Sequence, residues 1–404
     1  MRFFNFRKSQ ARGSKRGFRI PDMTYVRDLG ELLESRAELA SYPVVSRIPD
    51  CELRPTPPLL FPASQEIASD HYMVPSIRDV VMAGMKNVTI TENSVIGTED
   101  EILSPGDAVQ PMYVSIYLRN GWVPDAETRP GAKKQLKCKG IGVLLTHFNS
   151  SVYGHWLYEG LPQLLLLKHL RSELPDLSIV LPSRPQYLSE WCRFLVPDVR
   201  IFSYDPRRET VFCEQLLIPG IFHSNSAFMH PFLDVMIEDA VSTATRESER
   251  PLPSHIYLTR NKPSHFRQLG NQDEIEQIAK SAGLTLLSPE DYSIPAQIRL
   301  FSGAKLVVSE FGSALHNTMF SGPCDIISLN WITCIQSRIA QLRQQNIGYV
   351  LPPLGPLTFQ RELEQTKREY WIDPEDFRRK LAERLHREPL RVPENDSTSV
   401  DFQG

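Results

Sequence analysis

The sequence predicts an α/β protein built as two successive domains. In two long stretches, short apolar segments rich in β-forming residues alternate with amphipathic helical segments, a pattern typical of parallel sheets with right-handed crossovers. A charged segment with two prolines, residues 247–253, separates the two stretches as a linker does. A length of 404 residues with 41% hydrophobic residues is enough for a full core in each domain.

The first stretch lies in residues 41–246, the predicted N-terminal domain. It opens on a proline-rich segment, residues 41–75, for which we predict irregular structure. Pro162 falls within a helix predicted for residues 155–170, so we expect it to kink that helix or to confine its regular part to the later residues. The other predicted strands are 88–102, 112–118, 141–146, 177–181, 199–202 and 211–218, and the other predicted helices are 189–195 and 231–245.

The second stretch lies in residues 254–387, the predicted C-terminal domain. Asn271 and Glu274 form a capping-box pattern, so we expect a helix that begins at Asn271 and ends at Gly283. A glycine turn at residues 312–314 leads into a helix beginning near Leu315. The remaining predicted strands are 255–258, 284–287, 305–308, 325–329 and 349–351, and the remaining helices are 294–302, 333–345 and 374–386, with Ser293 and Asp373 as caps of the first and last.

The two ends of the chain differ from the domains in composition. Residues 1–40 form an arm and lead-in whose first part is basic, with no acidic residue among residues 1–19 and no apolar run of the kind found in a signal peptide. Phenylalanines among these basic residues favour contact with an anionic membrane surface, and the alternative is a disordered basic arm. The polar tail, residues 388–404, is predicted to be disordered.

Charge and cysteine usage exclude several classes of protein. A formal net charge of −3 argues against a nucleic-acid-binding protein. The six cysteines form no Cys-x-x-Cys pair and are scattered among apolar residues, which predicts reduced core thiols and a cytoplasmic location, at the inner face of the membrane if the arm binds there. The sequence has no Asp-x-Asp and no paired histidines at metal-ligand spacing, so we expect no metal cofactor.

A candidate anion site lies at the predicted carboxyl edge of the second sheet. Arg260 follows the first strand, and Arg267 lies in the loop after it, together with Lys262 and His265. The turn at residues 310–313 follows a neighbouring strand, and its glycine allows a ligand to approach the backbone. Arginine side chains beside the free N–H groups of a helix start suit a diphosphate, and the alternative is a solvated loop beside an ordinary turn.

The sequence resembles glycosyltransferase family 61, whose members are inverting enzymes that use nucleotide sugars. Two blocks carry the resemblance and together cover about residues 140–330. The upstream block is the run from Gly154 to Pro162, Gly-His-Trp-Leu-Tyr-Glu-Gly-Leu-Pro. The downstream block comprises Arg260, Arg267, Asn271, Glu274, Gly283, Ser293, Gln297, Phe301, Ala304, Gly312, Leu315, Asn317 and Phe320. One position departs from the family, which usually has His-Gly-Ala-Gly at the glycine turn where this chain has Phe311-Gly312-Ser313-Ala314.

The resemblance implies a GT-B-like architecture, in which two Rossmann-like domains face each other across a cleft. It also implies a bacterial capsular-polysaccharide-biosynthesis-like enzyme that takes a nucleotide sugar and a glycan or lipid-linked glycan acceptor. Arginines and a helix start then neutralise the leaving diphosphate without a metal. The residues expected to bind the nucleotide sugar are Arg260, Arg267, Gln297, Glu310, Gly312, Ser313 and Asn317.

His155 and Glu159 are the candidate catalytic residues. They are spaced four apart, so on a helix they share one face, and they follow a predicted strand end in the domain that faces the donor site. Either residue could be the general base, and the alternative is that His155 begins the helix and Glu159 is a buried structural group. For Gln297 and Asn317 the alternative is likewise a structural role beside the glycine turn.

Two other functions compete with a transferase. A nicotinamide-dependent oxidoreductase needs Gly-x-Gly-x-x-Gly after a strand, whereas residues 140–142 lack the third glycine and precede their strand. A non-catalytic sugar-nucleotide-binding or scaffold protein of the same fold is the stronger competitor, because Phe311 replaces the histidine of the family.

Overall fold

The computed structural model describes residues 22–26, 40–48, 51–52, 59–61, 76–77, 80–91, 95–97, 101–105, 133–145, 150–222, 229–246, 252–260, 268–330, 334–353 and 369–386. The strands are β1 (Asp22–Val26), β2 (Ala40–Ile48), β3 (Cys51–Glu52), β4 (Leu59–Phe61), β5 (Ser76–Ile77), β6 (Val80–Thr91), β7 (Val95–Gly97), β8 (Glu101–Pro105), β9 (Lys134–Leu144), β10 (Leu177–Pro182), β11 (Arg200–Tyr204), β12 (Glu209–Pro219), β13 (His255–Leu258), β14 (Gln268–Leu269), β15 (Thr285–Leu287), β16 (Leu306–Glu310), β17 (Asp325–Leu329), β18 (Asn346–Val350) and β19 (Glu369–Tyr370).

Most of the described helices alternate with the strands from β9 onwards, as the pattern predicts, and the last helix follows β19. The longest helical stretch, α1, consists of three consecutive segments, Tyr153–His155, Trp156–Gly160 and Leu161–His169. The other α-helices are α2 (Tyr187–Leu195), α3 (Phe232–Thr245), α4 (Gln272–Ser281), α5 (Ile294–Ser302), α6 (Cys334–Leu342) and α7 (Pro374–Leu385), and the 3₁₀ helices are Arg171–Glu173, Pro289–Asp291 and Ser313–Phe320.

The first sheet is mixed and has nine strands. Its order is β1-β8-β7-β6-β12-β9-β10-β11, and β2 also pairs with β6. The strands β12, β9, β10 and β11 are mutually parallel, whereas β6 runs antiparallel to β12. The parallel half therefore points the carboxyl end of β9 towards the start of α1.

The second sheet has six strands in the order β15-β13-β16-β17-β18-β4, and all its pairs are parallel. In register, Tyr257 of β13 lies opposite Val308 of β16, and Val308 lies opposite Ile327 of β17. The buried patterns of β16 and β17 fit a sheet covered on both faces. The prediction of an α/β protein is confirmed, and β13 and β17 have the predicted bounds.

One apolar core reaches across both halves of the chain. Its members include Trp156 and Leu165 of α1 together with Ile298 of α5 and Phe320 of the last 3₁₀ helix. The rings of Trp191 and Phe320 stack with centroids 5.6 Å apart and an interplanar angle of 21°. The helices α1, α2, α3 and α5 thus pack between the two sheets and hold the first sheet against the second.

Several local predictions are wrong. The proline-rich residues 41–75 contain the strands β2, β3 and β4, and β4 adds to the edge of the second sheet by pairing with β18. Asn271 directly precedes α4, as predicted, but its side chain makes no capping hydrogen bond to the helix backbone. Its side chain instead donates to the carbonyl of Ile372 (2.8 Å) and accepts from the Ile372 N–H (3.2 Å). The amide therefore fastens the segment after β19 to the start of α4.

Ser293 directly precedes α5, but its side chain makes no capping hydrogen bond, so this predicted cap is wrong as well. Two other predicted helix ends agree with the structure. Gly283 follows α4 with φ of +89°, a conformation that favours glycine. The Asp373 side chain accepts from the Glu375 N–H at the start of α7. Within the described residues, no helix combines the length and the apolar character that a membrane crossing needs. The basic arm, the tail, the strand predicted at 112–118 and most of the predicted linker lie outside the described residues.

Candidate active site

The glycine turn that follows β16 is covered by the side chain of Arg260. Its guanidinium Nη2 donates to the carbonyl of Phe311 at 2.6 Å. A Cβ added to Gly312 would lie 2.5 Å from the same nitrogen, so any larger residue would displace the arginine. The Leu315 N–H then bonds the Gly312 carbonyl and begins the 3₁₀ helix Ser313–Phe320. The structure therefore brings Arg260, Gly312 and Ser313 together, as predicted from their strand ends.

Glu310 lies at the end of β16 and is 4% exposed. Its Oε2 is 3.7 Å from Nη1 of Arg260, and it also accepts a hydrogen bond from the hydroxyl of Tyr370. Burial, together with the charge of Glu310, raises the pKa of Tyr370 well above its usual value, so this hydroxyl keeps its proton. Glu310 is thus positioned to hold the guanidinium of Arg260 over the turn.

The upstream family block forms the start of α1. Residues 156–167 are buried throughout, as in a helix surrounded by protein on all sides. The middle segment, Trp156–Gly160, is a π-helix in which the Leu161 N–H bonds the carbonyl of Trp156. The wider π turn directly precedes Pro162, which cannot donate a helical hydrogen bond and would crowd the carbonyl one α-turn earlier. The regular α-helix of this stretch begins only at Leu161, so its regular part is confined to the later residues, one of the two outcomes expected for Pro162.

Gly154 brings the two family blocks into contact. A Cβ added at this position would lie 2.8 Å from Oγ of Ser313 and 2.8 Å from Cδ2 of His316. The backbone of α1 therefore packs directly on the 3₁₀ helix that follows the glycine turn. This close approach places the candidate catalytic residues and the candidate diphosphate site at the same edge of the second sheet.

His155 and Glu159 lie side by side on the first turns of α1. Nδ1 of His155 is 3.4 Å from Oε1 of Glu159. The histidine side chain is 28% exposed, whereas the glutamate side chain is 4% exposed. The spacing of four therefore does bring the two groups together, with the imidazole on the solvent side and the carboxylate behind it.

His316 is a buried histidine that packs against Gly154. It is 5% exposed, and Nδ1 is 2.9 Å from Oε1 of Gln336. The pKa of His316 is lowered to about 4, chiefly by burial; the bond to Gln336 opposes this shift and the nearby His155 contributes to it. Its ring is 6.1 Å from that of Phe311, the residue at the usual family histidine position. A neutral imidazole thus packs beside the phenylalanine.

Gln297 and Asn317 meet at a tyrosine that the sequence did not single out. The Tyr153 hydroxyl is 3.1 Å from Oε1 of Gln297 and 3.0 Å from Oδ1 of Asn317. The two amides also donate to backbone carbonyls, Gln297 to Tyr292 (2.9 Å) and Asn317 to Ala314 (3.1 Å). Burial raises the pKa of the Tyr153 phenol, which therefore stays protonated. These contacts fasten α1 to α5 and to the 3₁₀ helix.

Two residues of the site escaped prediction because their partners are distant in sequence. Tyr153 precedes the upstream block by one position, which was the available signal. Tyr370 lies beyond the family blocks, in a segment without a recognisable motif. Arg267, predicted to bind the diphosphate, lies outside the described residues, as do Lys262 and His265. In the part of the chain that the structure describes, no three His, Cys, Asp or Glu side chains gather as a metal site would require.

A protein-family model matches part of the chain. Residues 153–327 match the model of the family described as Glycosyltransferase 61, a region that begins at Tyr153 and includes Arg260, Gly312 and Asn317. No curated protein matches the chain. The family match supports a glycosyltransferase, an enzyme whose substrates are a sugar donor and an acceptor.

Proposed function

We propose, from this likeness to glycosyltransferase family 61, that the protein moves a sugar from a nucleotide-sugar donor to a glycan acceptor with inversion at the transferred carbon. One observation carries the proposal. Gly154 packs against Ser313 while Arg260 covers Gly312, so a candidate base and a candidate diphosphate site share one edge of the second sheet. Two such groups on either side of a bound sugar are what a single displacement requires.

On the donor side, we propose that Arg260 neutralises the leaving diphosphate. Glu310 and the carbonyl of Phe311 hold its guanidinium in place over the turn. The backbone at Gly312 and Ser313 lies beneath it and lacks a side chain at the point of closest approach. A charge-assisted contact to the diphosphate strengthens as the bond to the sugar breaks, because negative charge then builds up on the leaving oxygen.

On the acceptor side, we propose that His155 is the general base and that Glu159 positions it. The exposed fractions of the two side chains support this assignment of roles, since the imidazole of His155 reaches solvent and the carboxylate of Glu159 does not. The acceptor hydroxyl gives its proton to the imidazole as its oxygen bonds the sugar carbon, and the bond from that carbon to the diphosphate breaks. The buried carboxylate then stabilises the charged imidazolium.

The family resemblance extends the proposal to the arrangement of the two halves and to the product. We propose a GT-B-like arrangement in which each sheet supports one half of the site. The acceptor would be a glycan or lipid-linked glycan in the synthesis of a surface or capsular polysaccharide. Neither extension is needed for the chemical step.

The test is a panel of nucleotide sugars presented to the purified protein, with binding followed by thermal shift and turnover by release of the nucleotide in EDTA. We expect one donor to bind and to be turned over without added metal. Arg260→Ala should weaken nucleotide binding by about 1.5–3 kcal/mol, because it removes a charge-assisted contact. Arg200→Ala removes an arginine that is 70% exposed on the other sheet and should change nothing.

The possible failures of this test are informative. Binding without any turnover would support a non-catalytic sugar-nucleotide-binding or scaffold protein in place of an enzyme. Turnover that EDTA abolishes and manganese restores would contradict the metal-free mechanism. Equal nucleotide affinity for Arg260→Ala and the parent would remove Arg260 from the donor site.

A further inference from the structure

Trp371 exposes an unusually large indole surface. Its exposed fraction is 55%, whereas Trp156 and Trp191, the other tryptophans among the described residues, are fully buried. A tryptophan side chain carries a large apolar area, and leaving it in water forgoes a large favourable burial term. An exposed indole that is also held in place is therefore well suited to stack against a ligand.

The indole rests on one residue, and the residues on either side of Trp371 in the chain are also fixed. Its ring lies on Gly270, where an added Cβ would be 2.6 Å from Cε2 and from Cζ2. The preceding residue, Tyr370, belongs to β19, which pairs with β14, and its hydroxyl is bonded to Glu310. The following residue, Ile372, is bonded through both its N–H and its carbonyl to the side chain of Asn271. One face of the ring is thus packed on backbone, and the exposed area belongs to the rest of the ring.

The contacts of its neighbours connect this indole to the candidate donor site. Tyr370, next to Trp371 in sequence, bonds the carboxylate that pairs with Arg260. Gly270, under the ring, lies at the start of α4 and accordingly on the same carboxyl edge of the second sheet as the turn at Gly312. An aromatic platform connected in this way to the candidate diphosphate site at Arg260 is where the base of a nucleotide can stack.

We propose that Trp371 is the stacking platform for the base of the nucleotide-sugar donor. This inference rests on the proposed function, since it requires the donor to be a nucleotide. The chemistry fits a planar heteroaromatic ring, because every nucleobase presents a π face to an indole. Stacking of this kind raises affinity without selecting strongly among bases, so other residues must choose between them.

The experiment measures binding of UDP, GDP, CDP and ADP by calorimetry, and then follows the tightest of them in variants of the full chain. Trp371→Ala should weaken the binding of that nucleoside diphosphate roughly 5- to 150-fold, the range that corresponds to base–aromatic stacking of about 1–3 kcal/mol. Trp371→Phe keeps an aromatic face and should stay within about threefold of the parent. Gly270→Ala keeps the indole but displaces it, because the added methyl group would overlap the ring. The loss of nucleotide affinity in this variant should therefore approach the loss in Trp371→Ala.

Two further measurements separate stacking from other causes. Pyrophosphate, which competes for the diphosphate site but has no base, should bind Trp371→Ala as it binds the parent. Val235→Ala removes an aliphatic side chain that is 58% exposed on α3 and serves as the matched surface control. Unchanged nucleotide affinity in Trp371→Ala, or an equal loss for nucleotide and pyrophosphate, would overturn the inference. If the parent binds none of the four nucleotides, the proposed function fails first and the inference fails with it.

Discussion

At the scale of single residues, the unequal burial of His155 and Glu159 predicts unequal effects of substitution. His155→Ala removes the proposed base, and loss of a general base typically lowers kcat by ~100- to 10,000-fold. Glu159→Gln keeps the shape but removes the charge, so kcat should fall less. Nucleotide affinity should be nearly unchanged in both variants, because the proposed diphosphate site lies on the other family block. Turnover, nucleotide binding and melting temperature should be measured on the same samples.

His169→Ala, at the far end of α1, is the control for replacing a histidine in this helix. A purely structural pair would behave differently from a catalytic one. Melting temperature would drop in His155→Ala and Glu159→Gln, and activity would fall only with the folded fraction. Two stable variants with parental turnover would rule the pair out of the mechanism.

The lowered pKa of the buried His316 predicts how the stability of the protein depends on pH. Its folded pKa is about 4, while an unfolded histidine titrates near 6.5, so the unfolded state binds the extra proton between these values. Stability should therefore fall as pH drops from about 6.5 to about 4, by about 3 kcal/mol for this group. His316→Gln should lose less stability over this interval than the parent does, when urea unfolding is compared at pH 7 and pH 4. Parallel losses in the two proteins would contradict the buried neutral imidazole.

At the scale of elements, sequence patterns predicted what depends on near neighbours. The helix α7 and its cap at Asp373 were predictable, because apolar periodicity and capping act over a few residues. The role of Asn271 was not, because its partner Ile372 lies far along the chain. The strand β2 was missed because prolines argued against pairing, yet Pro43 lies within it. The π turn before Pro162 shows a helix adapting to a residue that the pattern only marked as disruptive.

In the candidate site, too, the features that follow from strand order could be predicted, whereas those that depend on distant partners could not. Arg260 and Gly312 could be found from sequence, because parallel strands bring their carboxyl ends to one edge. The seating of Gly154 on Ser313 could not, since it depends on how α1 packs against another helix. Tyr370 was unpredictable for a similar reason, as its hydroxyl reaches Glu310 from a strand outside the main sheet.

At the scale of the whole molecule, a buried arginine joins the two halves of the chain. Arg343, 4% exposed, follows α6, pairs with both Asp234 and Glu238 of α3, and donates to the carbonyl of Ser321 at 3.1 Å. Arg343→Met should lower the free energy of unfolding by about 1.5–3 kcal/mol, because contacts to a charged donor are lost from a buried position. Urea denaturation checks this expectation.

Arg379 offers a matched control for Arg343. It also pairs with two carboxylates, Asp376 and Glu383, but its side chain is 60% exposed on α7. Arg379→Met should change the stability by less than about 1 kcal/mol, because solvent screens exposed pairs. Equal losses in the two variants would mean that burial of Arg343 adds nothing, and that the apolar core alone holds the halves together.

The position of β4 has a consequence for protein engineering. Residues 59–61 form the outermost strand of a sheet whose other strands all come from residues 255–350. Cleavage between the two long α/β stretches would leave the later piece with a bare sheet edge, and such edges recruit foreign strands. The earlier piece would carry an orphan strand. The C-terminal half is therefore not a portable module, and any chimera that exchanges it between relatives must carry residues 59–61 along.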